Sequence, residues 1–116
     1  MQARGDHVTI DFEHLRAVAR GLNRRFPTGD DPFQMMTCLL EESGELAQQV
    51  NHFEGSGIKR EKYGEPDRAK LAKEIRDLLT CVARVMDHYQ AEAEVAASLD
   101  LIYQRLKNEG FITENE

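Results

Sequence analysis

The chain of 116 residues predicts an all-α fold of four helices. Two observations carry that expectation. Apolar residues recur three and four apart through four separate stretches, the spacing that stacks side chains on one helical face. The breaks between those stretches hold two of the three prolines and four of the eight glycines, and no stretch reads as a credible strand. Internal repeats and low-complexity segments are absent, so residues 1–116 read as a single domain.

After a mixed lead-in, the first helix is expected over about 11–26. Phe12, Leu15, Ala19, Leu22 and Phe26 mark its apolar side, with Thr9 or Asp11 as cap and Pro27 and Gly29 as the stop. Asp30 or Asp31 caps the second, over about 32–54. There Pro32 sits in the first turn, where a missing N–H costs nothing. Its apolar residues, from Phe33 to Phe53, cover an arc wide enough for more than one neighbour. Residues 55–66 (GSGIKREKYGEP) read as loop, carrying the basic cluster Lys59, Arg60 and Lys62, either solvated or in contact with phosphate. The third helix is expected over about 67–90 with Asp67 as cap, and the fourth over about 92–109. Val95, Leu99, Ile102 and Leu106 are spaced in heptad fashion on the fourth, and Gly110 ends it.

The formal charge of −6 argues against a nucleic-acid polymer as partner, because polyanion binding rests on a basic surface. Cys38 and Cys81, isolated in apolar helical patterns, read as buried free thiols of a reducing compartment. With no apolar run of about 18 residues and no signal-peptide pattern, the expectation is a cytoplasmic protein off the membrane.

The chemistry lies in LLEESGELAQQV, residues 39–50. Glu41, Glu42 and Glu45 share one helix that has no Lys or Arg from Pro32 to Glu54. The common explanation for glutamates on a helix, a solvated face with i,i+4 basic partners, therefore fails here. A second pair, Glu74 and Asp77 in LAKEIRDLL, has candidate partners in Lys70 and Lys73. Even so, Glu74 projects into the apolar stripe, where an unpaired carboxylate is expensive. Both pairs, Glu42/Glu45 and Glu74/Asp77, are three residues apart, so two antiparallel helices can converge four carboxylates on one point.

An all-oxygen set of that kind suits Mg²⁺ or Mn²⁺ rather than zinc. A di-iron bundle would need Glu-x-x-His, which is absent; Asp11-x-x-His14 is a lone near miss. His7, His14, His52 and His88 read as surface or packing residues. Carboxylate-bound Mg²⁺ in a helical cleft serves phosphoryl chemistry, and Glu41, farthest from the apolar side, is placed to orient or deprotonate an attacking water.

At these residues the sequence resembles the MazG family of all-α nucleoside triphosphate pyrophosphohydrolases, whose signature is E-E-x-x-E followed by E-x-x-D. The matching residues are Glu41-Glu42-Ser43-Gly44-Glu45 and Glu74-Ile75-Arg76-Asp77, and the likeness runs over about residues 12–109. The resemblance implies a bundle-like MazG-type fold completed by dimerisation, sometimes a tetramer. It implies hydrolysis of an NTP or dNTP between the α and β phosphates to a monophosphate and pyrophosphate. Glu42, Glu45, Glu74 and Asp77 would be the Mg²⁺ ligands and Glu41 the water-activating or second-metal carboxylate. Lys107 and Asn108 would then stand at a loose match to the family's Lys- and Asn-bearing ending. Lys73 joins Lys59, Arg60 and Lys62 among the candidate substrate contacts, and Phe26 or Phe33 would stack the base. Two alternatives share the acid pattern: a phosphoribosyl-ATP pyrophosphatase-like enzyme, and a non-catalytic metal-stabilised helical dimer.

Overall fold

The computed structural model describes residues 8–27, 31–55 and 57–116, and of Lys59 its place in a helix alone. His7, the alternative cap Asp30, Gly29 and Ser56 lie outside the described residues. Five helices follow one another: α1 Phe12–Arg25, α2 Pro32–Glu54, α3 Gly57–Tyr63, α4 Arg68–His88 and α5 Glu92–Asn108. No strand occurs among the described residues.

Three of the helices start where a short acidic side chain can take up orphan amides. Asp11 Oδ1 accepts from Glu13 N at 2.9 Å, Asp31 Oδ1 from Phe33 N at 2.7 Å, and Asp67 Oδ1 from Ala69 N at 2.8 Å. The second, third and fourth expected helices thus appear as α2, α4 and α5, with ends that differ by no more than two residues.

The segment read as loop is the correction. Residues 57–63 fold as α3, so there are five helices and not four. The glycines and proline that suggested a loop stand at its borders. Between Gly57 and Gly64 the run IKREKY consists largely of good helix formers. Gly64, at φ +81°, then turns the chain out of the helix in a conformation that any side chain would strain. Its amide still donates to Arg60 O at 2.9 Å.

The chain divides into two compact units, Met1–Val85 and Met86–Glu116. In the first, α2 and α4 run antiparallel. Glu45 meets Glu74 midway, while His52, near the end of α2, meets Gly64, just before α4. Helix α1 is pinned to α4 by Arg84 Nε, which donates to Asn23 Oδ1 at 2.8 Å. Ala19, Met35, Thr80, Cys81 and Ala83 are buried with Glu74 and His52; Cys38, expected buried, is half-buried.

The second unit holds two C-terminal caps of one design. At the end of α4, Gln90 N donates to Asp87 O and Ala91 N to Met86 O; at the end of α5, Gly110 N donates to Lys107 O and Phe111 N to Leu106 O. Both are Schellman motifs, which need a left-handed residue. Gly110 (φ 86°) fills that place at no steric cost, whereas Gln90 (φ 52°) does so against its own Cβ.

Much of the apolar arc on α2 stays open. Phe33 is 82% exposed and Leu40 66%, with Met36 and Ala47 also exposed. At about 100° per residue these four, and Gly44 among them, fall within roughly 80° of one another. On α5, Val95, Leu99 and Ile102 form a second exposed stripe.

Candidate metal centre

Helix geometry brings Glu42 and Glu45 onto the side of α2 that faces Glu74 on α4. One carboxylate oxygen from each lies within 4.8 Å of the others. The three environments are graded: Glu74 is buried at 8% exposure, Glu42 half-buried and Glu45 exposed. This matches the sequence reading, which put Glu74 inside the apolar stripe and Glu41 farthest from the apolar side of α2.

Oε2 of Glu42 and Oε2 of Glu74 are buried and have no hydrogen-bond partner. A carboxylate withdrawn from water without a partner is costly, so each is a ligand atom in want of a cation. The Glu45 carboxyl, set against these two, is held above its ordinary 4.5. A hydrogen bond with Glu74 is the largest cause, followed by the charges of Glu42 and Glu74.

Asp77 stands differently. Its oxygens are engaged by Lys73 Nζ at 2.9 Å and Arg76 Nη2 at 3.1 Å, and it is not among the three converging carboxylates. Burial pushes the Asp77 carboxyl up, but the hydrogen bonds from Lys73 and Arg76 outweigh burial and hold it below 3.8. Lys73 also reaches Glu74 Oε1 at 3.3 Å, and bonds to both carboxylates, first Asp77 and then Glu74, raise its own ammonium. The expected Lys70–Glu74 pair is not formed, because Lys73 takes both acids. Glu41 lies on α2 exposed to solvent, beside the three-carboxylate cluster but not part of it.

Of the expected substrate contacts, Arg60 is committed elsewhere, donating to the Phe53 carbonyl at 2.9 Å near the open end of α2, with Glu65 3.9 Å away. Lys62 sits 5.6 Å above the ring of Tyr63. The Lys59 side chain lies outside the described residues. Lys107 and Asn108 close the last turn of α5 in the second unit, where a lysine suits the helix dipole. Phe26 and Phe33 are both exposed, Phe26 with the Arg25 guanidinium 4.7 Å over its ring.

Sequence reasoning missed a cleft of about 240 Å³ lined by Gln48, Gln49, His52, Tyr63 and Lys70. A usable signal was present, since Gln49 follows Glu45 by four residues and Lys70 precedes Glu74 by four. Reading it required α3, which carries Tyr63 to the site. His52 is buried there, and its Nε2 lies 2.7 Å from Gly64 O.

No protein-family model, curated protein or solved structure matches the chain. Among the described residues no helix is long and apolar enough to cross a membrane.

Proposed function

We propose that the chain is a Mg²⁺-dependent nucleoside triphosphate pyrophosphohydrolase of the MazG type, acting as a homodimer or homotetramer. The observation that carries this reading is the pair of buried, unpartnered oxygens on Glu42 and Glu74, set within one cluster with Glu45. An all-carboxylate set of this kind fits Mg²⁺ or Mn²⁺, and its lack of histidine and thiol argues against softer metals. Glu42, Glu45 and Glu74 would hold the ion. Asp77 would join them once Lys73 and Arg76 give way, and those two cations would then be free to meet the phosphates. When bound, Mg²⁺ supplies charge compensation for polyphosphate oxygens.

Glu41, exposed at the edge of the cluster, would accept the proton of the attacking water. The water oxygen forms a bond to the α-phosphorus as the bond to the α,β-bridging oxygen breaks, and the electron pair leaves with pyrophosphate. The net charge of −6 is compatible with such a substrate because a divalent cation can bridge carboxylates to phosphate oxygens.

The exposed stripe of Phe33, Met36, Leu40, Gly44 and Ala47 supports a second copy. A contiguous apolar face of this kind marks an interaction surface, and a glycine within it lets a partner helix approach closely.

Product analysis tests the reaction. Incubation with a panel of NTPs and dNTPs, in Mg²⁺ and in EDTA, is expected to yield monophosphate and pyrophosphate with metal alone. Diphosphate and orthophosphate would refute the bond assignment. Glu42→Gln is expected to abolish turnover with the helical signal retained; an active Glu42→Gln chain would refute the ligand assignment. Turnover of phosphoribosyl-ATP but of no common nucleotide would favour the histidine-pathway alternative.

A further inference from the structure

We infer that the cleft between Gln49 on α2 and Lys70 on α4 seats the substrate's heterocyclic base, and that it selects a ring edge offering an N–H donor. The inference rests on the nucleotide reading above and adds to it the part of the substrate that the acids do not touch.

Position is the first ground. Gln49 and Lys70 lie one helical turn from Glu45 and Glu74, and because α2 and α4 are antiparallel, both steps lead to the same end of the groove. A ligand whose phosphates are held at the acids therefore reaches this cleft with its organic end. Size is the second. About 240 Å³ is below the roughly 300–1,000 Å³ of sites that enclose drug-sized ligands, and suits one ring system with the phosphates lying outside.

The third ground is chemical. Gln49 Oε1 is buried and without a partner. An orphan acceptor calls for a donor, and ionised phosphate oxygens only accept, so the polyphosphate end cannot satisfy it. A base carries ring or exocyclic N–H groups that can. The walls suit a planar ring. A carbonyl only accepts, so His52 Nε2 is the protonated nitrogen donating to Gly64 O, which fixes the imidazole plane. Tyr63 stands edge-on to it with ring centroids 6.3 Å apart. Lys70 is exposed at the rim and forms no ion pair among the described residues. Its ammonium adds a donor beside the Gln49 acceptor, the complement of an N–H next to a ring carbonyl or ring nitrogen.

Calorimetric titration of the full chain in Mg²⁺ tests this, with two kinds of probe. One is a set of α,β-methylene nucleoside triphosphates of the common bases, and the other is ribose 5-triphosphate, which has no base. The wild-type chain is expected to bind at least one base-bearing probe about 10-fold or more tightly than the baseless one. Gln49→Leu is expected to erase that preference, leaving baseless binding and the Mg²⁺-induced rise in melting temperature unchanged. Lys70→Ala, at an exposed site, is expected to weaken the preference, and it carries the comparison should Gln49→Leu fail to fold. Equal binding of both probes by the wild-type chain, or an undiminished preference in the variants, would overturn the base site while leaving the nucleotide reading intact. No binding of either probe would overturn both.

Discussion

Glu45 on α2 and Glu74 on α4 bring carboxylate oxygens within 4.8 Å of each other across the helix pair, and a hydrogen bond between them is the largest cause that raises the Glu45 carboxyl above its ordinary value. The pair links the exposed flank of one helix to the buried stripe of the other. Everything proposed for the site depends on what cation offsets that crowding of carboxylates.

The first prediction concerns pH. The folded metal-free chain holds a proton at Glu45 more tightly than the unfolded chain does, since its carboxyl is raised above 4.5. The associated stability is complete below 4.5 and is lost as pH rises through the raised value. Thermal melts in EDTA at low ionic strength are therefore expected to show a melting temperature that falls over that interval, and Glu45→Gln is expected to flatten the fall. Asp77, held below 3.8, acts in the opposite sense and in a lower window: its contribution is lost as pH drops through its folded value. Millimolar Mg²⁺ is expected to reverse the upper slope by displacing the proton. A metal-free slope of the other sign would contradict the crowding of carboxylates around Glu45.

Lys73 gives the second. It occupies Asp77 and Glu74 together, so it competes with any cation that would use them. Lys73→Ala is expected to lower the melting temperature of the metal-free chain and to tighten Mn²⁺ binding several-fold, as read by paramagnetic titration without nucleotide. Weaker Mn²⁺ binding in the variant would mean that the lysine positions the acids rather than competing for them.

Leu40 tests the assembly. At 66% exposure in a single chain, its replacement by lysine is expected to cost the isolated fold less than about 0.5 kcal/mol, as for surface sites in general. Against a second copy the same change buries a charge. Light scattering is expected to show Leu40→Lys as a monomer and the wild-type chain as a dimer or tetramer. An unaltered mass would move the interface off this face.

Gln90 offers a prediction about stability alone. It holds the left-handed position of the α4 cap, which glycine fills without strain at Gly110. Gln90→Gly is expected to stabilise the chain by about 1 kcal/mol, the cost of left-handed backbone for a residue with a Cβ. Denaturant melts with an unchanged m-value would establish it.

Most of the helices, three caps and the grading of the acids were legible in the sequence, because they depend on local spacing. Asp11, Asp31 and Asp67 cap where short-range rules place them, and Glu74 is buried because it falls inside its own helix's stripe. What depended on two segments meeting was not legible. Helix α3 was hidden by the glycines at its borders, and with it the cleft that Tyr63 helps to wall. The preference of Lys73 over Lys70 was hidden for a similar reason: both have an acid four residues on, and only the packed helix shows that one lysine reaches two acids.

The cation-free length of α2 has a practical consequence in protein chemistry. Trypsin finds no site between Arg25 and Lys59, so one peptide carries Glu41, Glu42 and Glu45 together, whereas Arg76 divides Glu74 from Asp77. Carbodiimide modification with and without Mg²⁺, followed by digestion and mass spectrometry, would read protection of the two helices on different fragments. The absence of basic partners that singles out these glutamates as ligands also isolates them for direct mapping.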